Sequence, residues 1–125
     1  FGGLTVIELL RSGVPVRAVS FHGLLGHKLG EMEAPVVPNA EKMPGSLLML
    51  HGDKDPLVSE EDIKNIRQEL TDAGVDWQMN TYGHAVHAFT NPKLKDSSTG
   101  MAFNKEASER SWKAMRTFFD EKPWK

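Results

Sequence analysis

The sequence contains no cysteine. Disulfides are therefore excluded, and so is any metal site built on thiolates. That absence fits a cytoplasmic protein, which is the expected setting. No apolar run approaches the roughly 20 residues needed to span a bilayer, so no membrane partner is expected. Phe1 to Leu10 is apolar but lacks the basic leading segment of a secretory signal. Neither sign of charge dominates: 15 Lys and Arg face 17 Asp and Glu, a formal net charge of -2. Such a balance leaves no electrostatic footprint for nucleic acid. Internal repeats and low-complexity segments are missing as well. What remains is 125 residues, 39% apolar and 26% charged, which describes one globular domain and not a disordered or fibrous chain.

Strand-like and helix-like segments alternate along the chain. Leu4 to Arg11 is apolar on most sides and reads as a buried helix that Gly13 can end. Val16 to Phe21 reads as a short buried strand ending at His22-Gly23. Leu24 to Pro44 holds three prolines and many polar residues and reads as a long loop. Leu47-Leu48-Met49-Leu50 is a continuous apolar run, the pattern of a strand covered on both faces. It opens onto the turn residues His51-Gly52-Asp53-Lys54-Asp55-Pro56. Ser59, with Asp62 three residues on, resembles a capping box. Ile63, Ile66, Leu70 and Ala73 then form a helical stripe that Gly74 stops. Trp77 to Tyr82 reads as a third strand. Lys105 to Glu121 reads as an amphipathic helix, with Trp77, Trp112, Phe118 and Phe119 as packing residues. The alternation predicts an α/β fold of three mainly parallel strands flanked by helices.

Two polar residues stand out by position. Asp55 follows the second strand and His87 follows the third. Ligands of open parallel sheets bind outside the carboxyl ends of the strands, where these two turns meet if the strands are neighbours. A carboxylate on one ring nitrogen of an imidazole fixes its tautomer and steadies the imidazolium, and the other nitrogen then serves as a base for a nucleophile. Taken alone, Asp55 beside Pro56 is also an ordinary turn residue, and His87 an ordinary surface histidine. His22 ends a strand on the same side of the sheet, where it either lines a substrate pocket or plays a satisfied structural part. His84 is a nearby rival to His87 and a candidate substrate-facing group. The spacing of His51, Asp53, His84 and His87 matches no metalloenzyme motif, so no metal is expected.

Phe1-Gly2-Gly3, the segment His51 to Pro56, and Tyr82-Gly83-His84-Ala85-Val86-His87-Ala88-Phe89-Thr90-Asn91-Pro92 together resemble the dienelactone hydrolase family. So do Ala102-Phe103-Asn104 and the run Arg110 to Met115. The likeness extends over nearly the whole chain in the right order. It implies the C-terminal half of an α/β-hydrolase fold, with Asp55 as triad acid, His87 as triad base and a Cys or Ser nucleophile. The elbow that carries the nucleophile reads G-x-S-x-G or G-x-C-x-G. Phe1-Gly2 matches its last two positions, so the nucleophile is expected immediately before Phe1, and residues 1–125 are expected to be a partial domain. The resemblance also implies Phe1 as an oxyanion donor, a small ester or lactone as substrate, and no metal or organic cofactor.

Two expectations of function follow. The first is a carboxylic-ester or lactone hydrolase. The second takes the chain as it stands, a truncated hydrolase fold without chemistry that acts as an interaction module. Without preceding strands, the Val16–Phe21 strand has an unpaired edge, which invites pairing with another copy. A homo-oligomer is therefore expected.

Overall fold

The computed structural model describes residues 1–26, 28–29, 32–33 and 42–121. Its elements in chain order are α1 (Gly2–Arg11), β1 (Val16–Phe21), β2 (Lys28–Leu29), β3 (Met32–Glu33), β4 (Gly45–Gly52), α2 (Glu60–Asp72), β5 (Asp76–Tyr82), a 3-10 turn (Ser97–Thr99) and α3 (Lys105–Asp120). One difference from the sequence reading concerns the stretch from Leu24 to Pro44. A short antiparallel ladder pairs Lys28 with Glu33 and Leu29 with Met32 inside the segment read as loop. Two-residue strands are too short to show an alternating pattern. Residues 27, 30–31 and 34–41 of that stretch lie outside the described residues.

Strands β1, β4 and β5 form one parallel sheet with β4 in the middle. A central strand loses water on both faces, so its middle residues are apolar without alternation. Leu47, Leu48, Met49 and Leu50 are each at most 2% exposed. Leu47 and Met49 pack with Ile7 and Leu10 of α1 and with Ile66 and Leu70 of α2. Leu48 and Leu50 turn to the other face and pack with Phe89 and with Ala107 and Phe118 of α3. Each such leucine contributes roughly 2 kcal/mol on burial, which makes β4 the anchor that holds both helix layers to the sheet.

The helices begin and end where local chemistry allows. Ser59 accepts the Asp62 N–H at 3.0 Å while the Asp62 carboxylate accepts the Ser59 N–H at 3.2 Å, completing the capping box of α2. At its far end Gly74 has φ 76°, and the N–H groups of Gly74 and Val75 donate to Thr71 and Leu70. That pair of bonds closes a Schellman motif. Gly13, at φ 84°, ends α1 as expected. Asn104 caps α3 by accepting the Ala107 N–H at 2.9 Å.

Two side chains depart from expectation. Arg11 is 1% exposed, because its guanidinium forks onto the Glu69 carboxylate with two 2.8 Å contacts and so ties α1 to α2. Trp112, expected as a core or helix-packing residue, is 48% exposed and packs over Phe21 with ring centres 5.1 Å apart. Its helix turns Ala107, Ser108, Ser111 and Phe118 inward instead.

The amino end of α1 is seated on the carboxyl end of β1 by a contact between backbones. A β-carbon on Gly3 would lie 2.4 Å from the Gly23 α-carbon and 2.4 Å from the Ser20 hydroxyl. Backbone cannot retreat as a flexible side chain can, so the close approach requires glycine. Gly3→Ala is therefore expected to destabilise the fold by about 1–3 kcal/mol. A lower urea midpoint with an unchanged m-value checks it; an unchanged midpoint would show that the contact is dispensable.

Candidate active site

The register of β4 on β5 runs to the ends of both strands, with Gly52 opposite Tyr82. Two main-chain bonds carry the pairing into the turns. The Asp53 N–H donates to Tyr82 at 3.0 Å and the Lys54 N–H donates to Ala85 at 2.9 Å. Gly52 permits this approach, since a β-carbon there would lie 2.7 Å from the Ala85 carbonyl oxygen. The turn after β4 and the turn after β5 are thus stitched together before any side chain acts.

Asp55 and His87 meet across that seam. The Asp55 Oδ2 lies 2.8 Å from His87 Nδ1. Its other oxygen accepts the Leu57 N–H at 2.9 Å. The Asp55 side chain is fully buried and that of His87 is 13% exposed. A carboxylate taken from water needs hydrogen bonds on both oxygens, and here each has one. The His87 main chain is held as well. Its N–H donates to Gly100 at 3.1 Å and its carbonyl accepts from Ala102 at 3.3 Å. Ala88 follows with φ 55°, a left-handed conformation that costs about 1 kcal/mol in a residue with a side chain. The chain turns there and buries Phe89 completely. With Nδ1 committed to Asp55, the base function of the ring falls to Nε2.

His22 stands beside this pair. Its ring meets His87 edge-on at 5.5 Å and Phe89 edge-on at 5.2 Å. Its Nε2 lies 2.8 Å from the Thr90 hydroxyl. Burial, the main cause, and then repulsion by His87 push its pKa down to about 4. Phe1 is 80% exposed, its carbonyl accepts the Thr5 N–H at 3.1 Å, and it stands at the N-cap of α1, whose first turn packs through Gly3 on Gly23, the neighbour of His22. His84 is exposed, with φ 65°. The carboxylate of Asp55 goes to His87 and not to this rival. Among the described residues no three His, Asp or Glu side chains are grouped to share a metal ion.

Thr90, the Leu57 N–H and the Gly100–Ala102 strap escaped the sequence reading. Thr90 lies within the motif from Tyr82 to Pro92, but a lone threonine carries no sign of a partner 68 residues away. Backbone partners leave no residue-type signal at all.

The model of the dienelactone hydrolase family matches residues 1–122. An uncharacterized protein of Caenorhabditis elegans is 31% identical over 123 residues, 96% of this chain and 74% of that protein. A solved dienelactone hydrolase-like promiscuous phosphotriesterase from metagenomic libraries is 36% identical, with TM-score 0.78 over 94% of this chain and 48% of its own. The structure named m3DLH is 38% identical, with TM-score 0.76 over 94% of this chain and 47% of its own. The chain therefore spans about half the length of these two solved structures. No described helix is long and apolar enough to cross a membrane.

The state of His22 makes stability depend on pH. Its pKa is about 4 when folded against the ordinary 6.5 of a histidine. Between those values the unfolded chain binds a proton that the folded chain refuses, so acid favours unfolding. Stability is therefore full above pH 6.5 and is lost as pH falls toward 4. Urea unfolding from pH 7.5 to 4 should show this slope in the wild type and a shallower one in His22→Gln. Parallel profiles would contradict a buried neutral His22.

Proposed function

Because the chain belongs to the dienelactone hydrolase family, with three parallel strands and flanking helices of an α/β-hydrolase fold, we propose that the whole protein hydrolyses small carboxylic esters or lactones. The hydrogen bond from His87 Nδ1 to the buried Asp55 carboxylate carries this reading. It is the arrangement that turns the second ring nitrogen into a base at neutral pH.

In this mechanism the nucleophile is the Cys or Ser expected just before Phe1. His87 Nε2 takes its proton as it attacks the ester carbonyl. Asp55 holds the imidazolium that results. The tetrahedral oxyanion is met by the Phe1 N–H at the amino end of α1, where helix N–H groups and the helix dipole favour negative charge. When the carbon–oxygen bond breaks, His87 returns the proton to the leaving alcohol. Water then attacks the acyl-enzyme, His87 accepts its proton, and the acid leaves as the nucleophile regains its own. His84, exposed at the rim, faces substrate. No step calls on a metal or an organic cofactor, and the cysteine-free sequence suits a cytoplasmic setting.

The test uses the whole protein with aryl esters and lactones, and a phosphotriester as a further probe, since one relative is described as a phosphotriesterase. Asp55→Asn is expected to lower kcat by about 10²–10⁴ with the fold intact, and His87→Gln at least as much. Acylation by an ester-like inhibitor should label the residue before Phe1. Undiminished turnover in both variants would end the hydrolase reading.

A second reading concerns the chain as it stands. Among the described residues β1 pairs with β4 alone, and Leu9 and Val14 nearby are 43% and 40% exposed. An open strand edge beside apolar side chains favours association with a second copy. Light scattering on residues 1–125 is expected to give a dimer or larger species, and a monodisperse monomer argues against it.

A further inference from the structure

Next to the Asp55–His87 pair lies another imidazole, half-buried and held on Nε2 by a protein hydroxyl. The backbone of His22 is fixed where β1 ends, since its N–H donates to the Leu50 carbonyl at 2.8 Å. Its φ of 37° is left-handed, an uncommon conformation for a residue with a side chain. Gly23 behind it is locked against Gly3. The ring Nε2 is taken by the Thr90 hydroxyl at 2.8 Å. One edge contact goes to His87 at 5.5 Å and one to Phe89 at 5.2 Å. Phe89 cannot yield, being fully buried, set against Tyr82 at 5.6 Å and held by its carbonyl to the Asn104 N–H at 2.9 Å.

We propose that His22 is a positioning residue: clamped by Thr90 and Phe89, it holds the His87 ring edge-on so that Nδ1 stays on Asp55, a role whose catalytic consequence rests on the hydrolase reading above. Asp55 alone constrains one atom of the ring and leaves rotation about that hydrogen bond open. A rigid neighbour against the ring removes this freedom. Edge-on contact between aromatic rings is favourable in itself, so the clamp does not rely on exclusion alone.

Neutrality is part of the role. The titratable side chains that act on His22 are His87 and Asp55, and burial outweighs both. A protonated His22 would set a like charge against the imidazolium that His87 must become. Kept uncharged, His22 orients its neighbour without opposing the proton transfer.

The test has a spectroscopic arm and a kinetic arm. In residues 1–125, the His87 Nδ1 proton bonded to Asp55 should give a downfield NMR signal, assigned by its loss in Asp55→Asn. In His22→Ala the signal should broaden into solvent exchange, and in His22→Phe, which restores the ring edge but not the bond to Thr90, it should return in part. Thr90→Val should broaden it partly and Thr90→Ser should restore it. In the whole protein, His22→Ala should lower kcat about tenfold or more with KM within about twofold, and His22→Phe should recover part of the loss. A signal that stays equally sharp in His22→Ala and Thr90→Val overturns the proposal, whether or not esters are cleaved. Should His22→Ala fail to fold, the Thr90→Val and Thr90→Ser pair decides alone. A signal that responds as expected in a protein that cleaves no ester supports the positioning role and removes the hydrolase reading.

Discussion

The pairing of β4 with β5 as far as their last residues is the constraint from which the site follows. Parallel strands that end at the same level deliver their turns to the same place. Here the register runs through Gly52 and Tyr82, and the bonds from Asp53 and Lys54 extend it beyond the strands. A shift of one residue would turn every side chain of β4 to the opposite face. The two apolar clusters forbid that shift, because Leu47 and Met49 are committed to one helix layer and Leu48 and Leu50 to the other. Packing of the core thus fixes the relative height of Asp55 and His87, although neither belongs to the core clusters.

Within that frame the energetics are those of a buried carboxylate. Removing Asp55 from water is costly, and the cost is offset by hydrogen bonds made where the group sits. The Leu57 N–H satisfies one oxygen permanently, since it belongs to the same turn. His87 satisfies the other and is the partner that can carry charge. The strap from Gly100 to Ala102 holds the His87 main chain, so the imidazole cannot leave without breaking a second set of bonds. The same strap is packed tightly on Pro56, where a β-carbon on Gly100 would come within 2.5 Å of the ring. Turn, strap and carboxylate therefore form one unit.

Much of this was legible in the sequence, and for identifiable reasons. The apolar run Leu47–Leu50 can only be a strand covered twice, and the glycines after Leu70 and Leu10 can only stop helices. Asp55 and His87 stood out by their place just past strand ends, and the motifs around them, more than their residue types, set them apart from an ordinary turn residue and a surface histidine. What stayed hidden depended on contacts between distant residues. The Arg11 guanidinium is buried because Glu69 receives it, and no local pattern announces that partner. Trp112 reads as a packing residue and does lie over Phe21, but the helix turns its small serines inward and leaves the indole half exposed. The Gly3–Gly23 contact joins residues with no side chain to read.

The two histidines at the site show how surroundings divide one residue type into two roles. His87 has a carboxylate on its ring nitrogen, and an imidazolium there would be met by negative charge. His22 has a hydroxyl on its Nε2, and the His87 ring stands edge-on beside it. Burial and the neighbouring His87 both disfavour its charged form. Only one of the two rings therefore has a carboxylate for a partner, and the surroundings of the other favour its neutral form. The separation rests on no unusual side chain. It comes from the seating of α1 on the end of β1 through Gly3 and Gly23, which fixes the backbone next to His22 and so its place beside His87.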